Sequence, residues 1–109
     1  MKLSTAIRKG YTRLRKAEFP VKQGAGAYAV AAGDGCRVCA FGCAIAEVAK
    51  ISAKRCRLPG DMSYLVNMRS GLDGLPSEIS RDHRLVVGLN DGQGLSISAI
   101  VKKLKKQGL

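Results

Sequence analysis

Four cysteines stand at Cys36, Cys39, Cys43 and Cys56, in the spacing Cys-x2-Cys-x3-Cys-x12-Cys. Thiolates are soft ligands suited to zinc or an iron–sulfur cluster, and tetrahedral zinc needs four ligands converging at about 2.3 Å. Cys39 and Cys43 lie one helical turn apart on one face, and Cys36 sits just before that helix and can curl in. Cys56 follows the far end of the helix, about 20 Å from Cys39 at the ordinary helical rise, which argues against one four-cysteine site. A zinc reading therefore rests on Cys36, Cys39 and Cys43, with His83, the single histidine, as the available fourth ligand. Zinc ribbons pair two Cys-x2-Cys knuckles, and this chain has one. Cys36-x2-Cys39 also has the form of a redox pair at a helix start after a strand, a position that lowers the first thiol's pKa. The βαβ pattern around such pairs is missing. The simplest reading makes Cys39 and Cys43 small buried apolar side chains, since free cysteine is among the most buried residue types.

The second chemical feature is charge. Lys and Arg number 19 against 8 Asp and Glu in 109 residues, a formal net charge of +11. Such a bias favours nucleic acid, an anionic membrane surface or an acidic protein partner, and says nothing about fold. Ten of the cations fall in two terminal segments: Lys2, Arg8, Lys9, Arg13, Arg15 and Lys16 in the first, and Lys102, Lys103, Lys105 and Lys106 in the last. Lys and Arg contacts to phosphates give sequence-independent affinity that falls steeply with salt. Five aromatic residues and no Trp leave little for base stacking, which disfavours specific single-strand recognition. The plain alternative is two solvated helix faces.

The elements that carry these residues can be read from periodicity. Leu3, Ile7, Tyr11 and Leu14 form a helical stripe over residues 2–18, with the cations on nearly the opposite face. Gly10 weakens this helix by about 1 kcal/mol relative to Ala, and Phe19-Pro20 stops it. Two short runs, Ala27–Ala31 and Cys36–Cys39, flank Gly33-Asp34-Gly35 and predict a β-hairpin. Residues 39–54 predict a second helix, apolar on most sides until Glu47 and Lys50, the mark of a buried central helix. Asp61 can cap a third helix over 62–70. Ser77 can cap a fourth, with Glu78 in its first turn and Ile79, His83, Val86 and Val87 at helical spacing, although Leu85-Val86-Val87 also reads as a strand. Asn90-Asp91-Gly92-Gln93-Gly94 predicts a turn. Ser96 caps the last helix, whose stripe is Ile97, Ile100, Val101 and Leu104. The expected fold is mainly α, a single domain over 1–109 with four or five helices and one short hairpin, with α+β as the alternative.

Other chemistry finds little support. The glycines at 24, 26, 33 and 35 lack the Lys-Ser/Thr pair of a phosphate-binding P-loop. His83 beside Asp82 and Arg84 reads as a surface or boundary residue, and spacing alone does not make a triad. Asn90-Asp91-Gly92 lacks the alternating acidic ligands of a calcium loop. No long apolar run predicts a membrane span. Met1-Lys2-Leu3-Ser4-Thr5 has no apolar signal region, so the expected location is the reducing cytoplasm, with thiols free, buried or metal-bound. No catalytic residue is expected.

Two stretches carry a resemblance. Cys39-Ala40-Phe41-Gly42-Cys43-Ala44-Ile45 resembles the Cys-Ala-x-Gly-x-Ala helix start of a family of small uncharacterised phage and bacterial proteins. Leu89-Asn90-Asp91-Gly92-Gln93-Gly94-Leu95-Ser96 is similar to that family's terminal Asn-Asp-x-x-Gly-Trp-[Ser/Thr] turn and helix, with Leu95 in place of the usual Trp. The likeness covers about half of the chain, and only Cys39 of the four cysteines matches. It implies an α-rich fold and a phage or prophage origin, and no catalytic residue. The expected function is that of a non-enzymatic accessory protein whose basic surface binds nucleic acid or an acidic partner. The alternatives are an inhibitor or regulator of a host factor, acting by protein–protein contact, and a small cysteine-based metal or redox module.

Overall fold

The computed structural model describes residues 1–26, 28–53 and 75–109. The helix predicted over 62–70, its cap Asp61, and Cys56 lie outside the described residues. Helix α1 spans Leu3–Leu14 and buries Leu3, Ile7 and Leu14 of the expected stripe, with Ser4, Ala6 and Gly10 beside them. It ends four residues before the expected boundary. Arg15, still in the α region, donates its N–H to Tyr11 O, and a tighter turn follows in which Lys16 N donates to Arg13 O and Ala17 N to Leu14 O.

The chain then makes three strands, β1 (Val21–Gln23), β2 (Ala29–Ala32) and β3 (Gly35–Val38). β2 and β3 form the expected hairpin, antiparallel with Ala32 opposite Gly35. β1 was not foreseen. It lies parallel to β3, pairing Val21 with Cys36 and Gln23 with Val38, so the sheet order is β1-β3-β2. One face of this sheet carries Lys22, Arg37 and Val30, all exposed, while Val38 and Ala29 face the core.

Helix α2, Ala40–Ala49, is the buried centre that its composition predicts. Every residue from Ala40 to Glu47 is buried. Glu47 was read as the point where the helix turns polar, yet its side chain is only 6% exposed. The helix ends at Ala49, five residues before the expected boundary at 54, because Lys50 adopts the left-handed conformation (φ 55°) that closes a helix end.

α1 crosses α2 at Gly10. A Cβ built there would overlap the Cys43 carbonyl, so the two backbones meet where only glycine fits. The same holds at Gly42, whose hydrogen faces the Tyr28 carbonyl. The helix expected from Ser77 is two pieces, α3 (Ser77–Ser80) and α4 (His83–Val87), split at Arg81-Asp82. Ser77 is the first helical residue rather than the cap, which is Pro76. Leu85-Val86-Val87 is helical, not extended. The predicted turn at 90–94 begins inside a π-helical turn, Gly88–Gly92, with Asn90 buried. Helix α5, Ile97–Lys106, starts as expected at Ser96, whose hydroxyl accepts from Ala99 N, and buries all four residues of its stripe. The protein is thus mainly α with a small sheet, and α1, α2 and α5 close over one apolar core.

Candidate nucleic-acid interface

Nine of the ten candidate cations are exposed, and Arg13 is half-buried. They reach the surface because α1 and α5 each turn an apolar stripe inward and pack against one another. The Ser4 N–H and hydroxyl both donate to Leu109 O, at 3.3 and 3.0 Å, so the tail of α5 lies at the first turn of α1. Lys105 and Lys106 are therefore near the Lys2 end of α1.

The α1 cations do not all act together. Arg8, Lys9, Arg13 and Lys16, with Thr12, line a shallow groove of about 340 Å³ whose inner wall is Glu47 of α2. Arg15 instead sits over the Tyr11 ring, 5.4 Å from its centre. Arg13 Nε donates to Glu47 Oε2 at 3.1 Å, and Lys50 Nζ donates to Glu47 Oε1 at 2.8 Å. Held by these two cations, chiefly by the Lys50 hydrogen bond, the Glu47 carboxyl titrates below the usual glutamate range despite its burial. Among the described residues, Arg13 is the one cation of the ten with a carboxylate partner. Reading the sequence missed Glu47 and Lys50. Their i, i+3 spacing was a visible signal, but the contact of Glu47 with Arg13, 34 positions away, was not.

The cysteines are dispersed in role. Cys36 on β3 is disulfide-bonded, which corrects the expectation of a free or metal-bound thiol at that position. Cys39 and Cys43 are free and buried. The Cys39 sulfur accepts the Gly42 N–H at 3.2 Å and so caps α2. Burial pushes both thiols above the ordinary cysteine value, the reverse of an activated nucleophile. No group of three or more His, Cys, Asp or Glu among the described residues is placed to hold a metal ion.

His83 stands at the boundary, its ring 4.6 Å from Phe41 edge to face. The Tyr28 hydroxyl donates to His83 Nε2, 3.2 Å away, in the tautomer protonated at Nδ1. Burial first, then Arg84, lowers the pKa of His83.

The Asn-Asp pair is a structural hub. Asn90 Oδ1 accepts from Gln23 Nε2 at 2.8 Å and from Ala40 N at 2.9 Å. Asn90 Nδ2 donates to Gly24 O at 2.9 Å and to Asp91 Oδ1 at 2.6 Å. Gln23 also accepts Ile97 N at 2.8 Å and donates to Leu95 O at 2.7 Å. β1, the start of α2 and the start of α5 thus meet on two amides. No described helix is long and apolar enough to cross a membrane. No family model, curated protein or solved structure matches the chain.

Proposed function

We propose that this is a non-enzymatic accessory protein, of phage or prophage type, that binds nucleic acid through the phosphate backbone. One observation carries the reading: α1 and α5 pack side by side, nine of the ten cations on and beside them are exposed, and a single carboxylate among the described residues pairs with any of the ten. Such a surface attracts an evenly charged polyanion without reading its bases. The buried thiols, with pKa values raised by burial, favour binding over thiol catalysis.

Titration of labelled random-sequence duplex DNA at several salt concentrations tests this. Binding should weaken steeply with salt, with a slope of about −0.9 per phosphate contact. Replacing Arg8, Lys9 and Lys16 together with Ala should reduce that slope by about three. Failure of the protein to bind duplex at low salt, while it binds polyglutamate, would instead favour an acidic protein partner.

A further inference from the structure

We propose that the groove between α1 and α2 is a preformed phosphate clamp in which Arg13 makes the contact and Glu47 is the positioning residue that aims it. This rests on the nucleic-acid reading above and adds which cation dominates and why.

Glu47 is a charged side chain with 6% exposure, and two cations hold it in place. An arginine has five N–H donors in a rigid fork. Arg13 uses Nε on Glu47, and no other bond from its guanidinium is made to a described residue. The Nε bond uses one of the five donors, and the side chain, 32% exposed, keeps the other four at a groove where Arg8, Lys9 and Lys16 add positive charge. A guanidinium already fixed by one edge loses little freedom when the other edge takes up a phosphate.

Lys50 supports the same assignment. It is the one non-glycine residue with positive φ among the described residues, at a helix end where glycine is the usual choice. The lysine that occupies this position closes its ammonium on Glu47, which completes the neutralisation of the carboxylate and leaves the groove with an excess of positive charge.

The spacing fits a strand rather than a small anion. Arg8, Thr12 and Lys16 follow one another at i, i+4 and i+8, with Lys9 and Arg13 beside them. From Arg8 to Arg13 the row is about 8 Å long at the helical rise, and Lys16 follows just past the end of α1. Phosphates of one duplex strand recur about every 3.4 Å along the axis, so about two face the helical part of the row.

Two substitutions separate a clamp from diffuse attraction because the two ideas predict different outcomes for each. Glu47→Gln makes the protein more positive, so diffuse attraction predicts tighter binding. The clamp predicts weaker binding, by about five-fold, because the Arg13 fork loses its anchor. Arg13→Lys keeps the charge, so diffuse attraction predicts no change, whereas the clamp predicts a loss of similar size. Both are read by fluorescence anisotropy on a labelled 20-base-pair random duplex at low salt, with thermal melting to confirm folding. If Glu47→Gln does not fold, Arg13→Lys decides alone. Unchanged binding by Arg13→Lys, or tighter binding by folded Glu47→Gln, overturns the clamp and leaves the basic surface standing. Wild-type protein that ignores the duplex overturns both.

Discussion

The Asn90 hub and the α1–α2 groove are both dense in polar atoms, and they use them in opposite ways. At the hub, every amide atom of Asn90 has a partner inside the protein, and the partners come from β1, α2 and the stretch before α5. In the groove, one buried carboxylate fixes one edge of Arg13 and the neighbouring cations face outward. The hub is neutral in its amides, whose bonds are made within the protein, and it holds elements together. The groove is charged and open, and its unfilled donors suit something outside the chain. Polarity alone is therefore no guide to function. The question that separates the two regions is whether the donors and acceptors are already matched within the fold.

The largest loss of stability belongs to the hub. Asn90→Ala should destabilise the protein by about 4 kcal/mol, because it strands the Ala40 N–H, the Gly24 carbonyl and the Gln23 amide at once. Urea unfolding measures it, and a loss below about 1 kcal/mol would show that water replaces the amide easily. Gly10→Ala comes next, at about 2 kcal/mol, since its methyl must displace the Cys43 backbone. Helix propensity alone predicts the other sign, a gain of about 1 kcal/mol, so the sign of the change in melting temperature decides between packing and propensity.

A smaller effect belongs to His83. Its folded pKa lies below the ordinary value, so the unfolded chain binds its proton more readily. Stability is then full above the ordinary histidine value of about 6.5 and declines as pH falls below it toward the lowered folded value. Because His83 is the only histidine, His83→Gln should flatten the change in melting temperature between neutral and mildly acidic pH. A slope that persists in the variant would assign it to carboxylates. The smallest effect belongs to the α5 lysines. Lys105→Ala with Lys106→Ala should shift stability by no more than about 0.5 kcal/mol while lowering the salt slope of duplex binding. A large stability change would mean that these side chains support the fold after all.

What could be read from the sequence follows the range of the interactions. The stripes of α1 and α5, the Ser96 cap and the β2–β3 hairpin are local patterns, and each was visible in a few consecutive residues. β1 was not, because three residues are too few to show alternation and their partner strand begins twelve positions after β1 ends. Asn90 was read as a turn former, but its side chain bonds to segments 50 to 67 positions away. For the site, the nine exposed cations and the half-buried Arg13 were all legible from periodicity. Their division into a groove set and an outlying set was not, since Glu47 looked like the solvent end of a helix until α1 was laid across it.

Gly10 gives that groove an unexpected dependence on the interior. It lies three residues before Arg13 on the same rigid helix, one turn from the Arg13–Glu47 contact at 3.1 Å. A methyl group at position 10 acts as a wedge, lifting α1 from α2 and moving the guanidinium away from its anchor. The crossing therefore works as a lever, and a change wholly inside the protein would be transmitted to its surface chemistry. Variants that repack this crossing are thus expected to alter anion binding without touching a single charged residue.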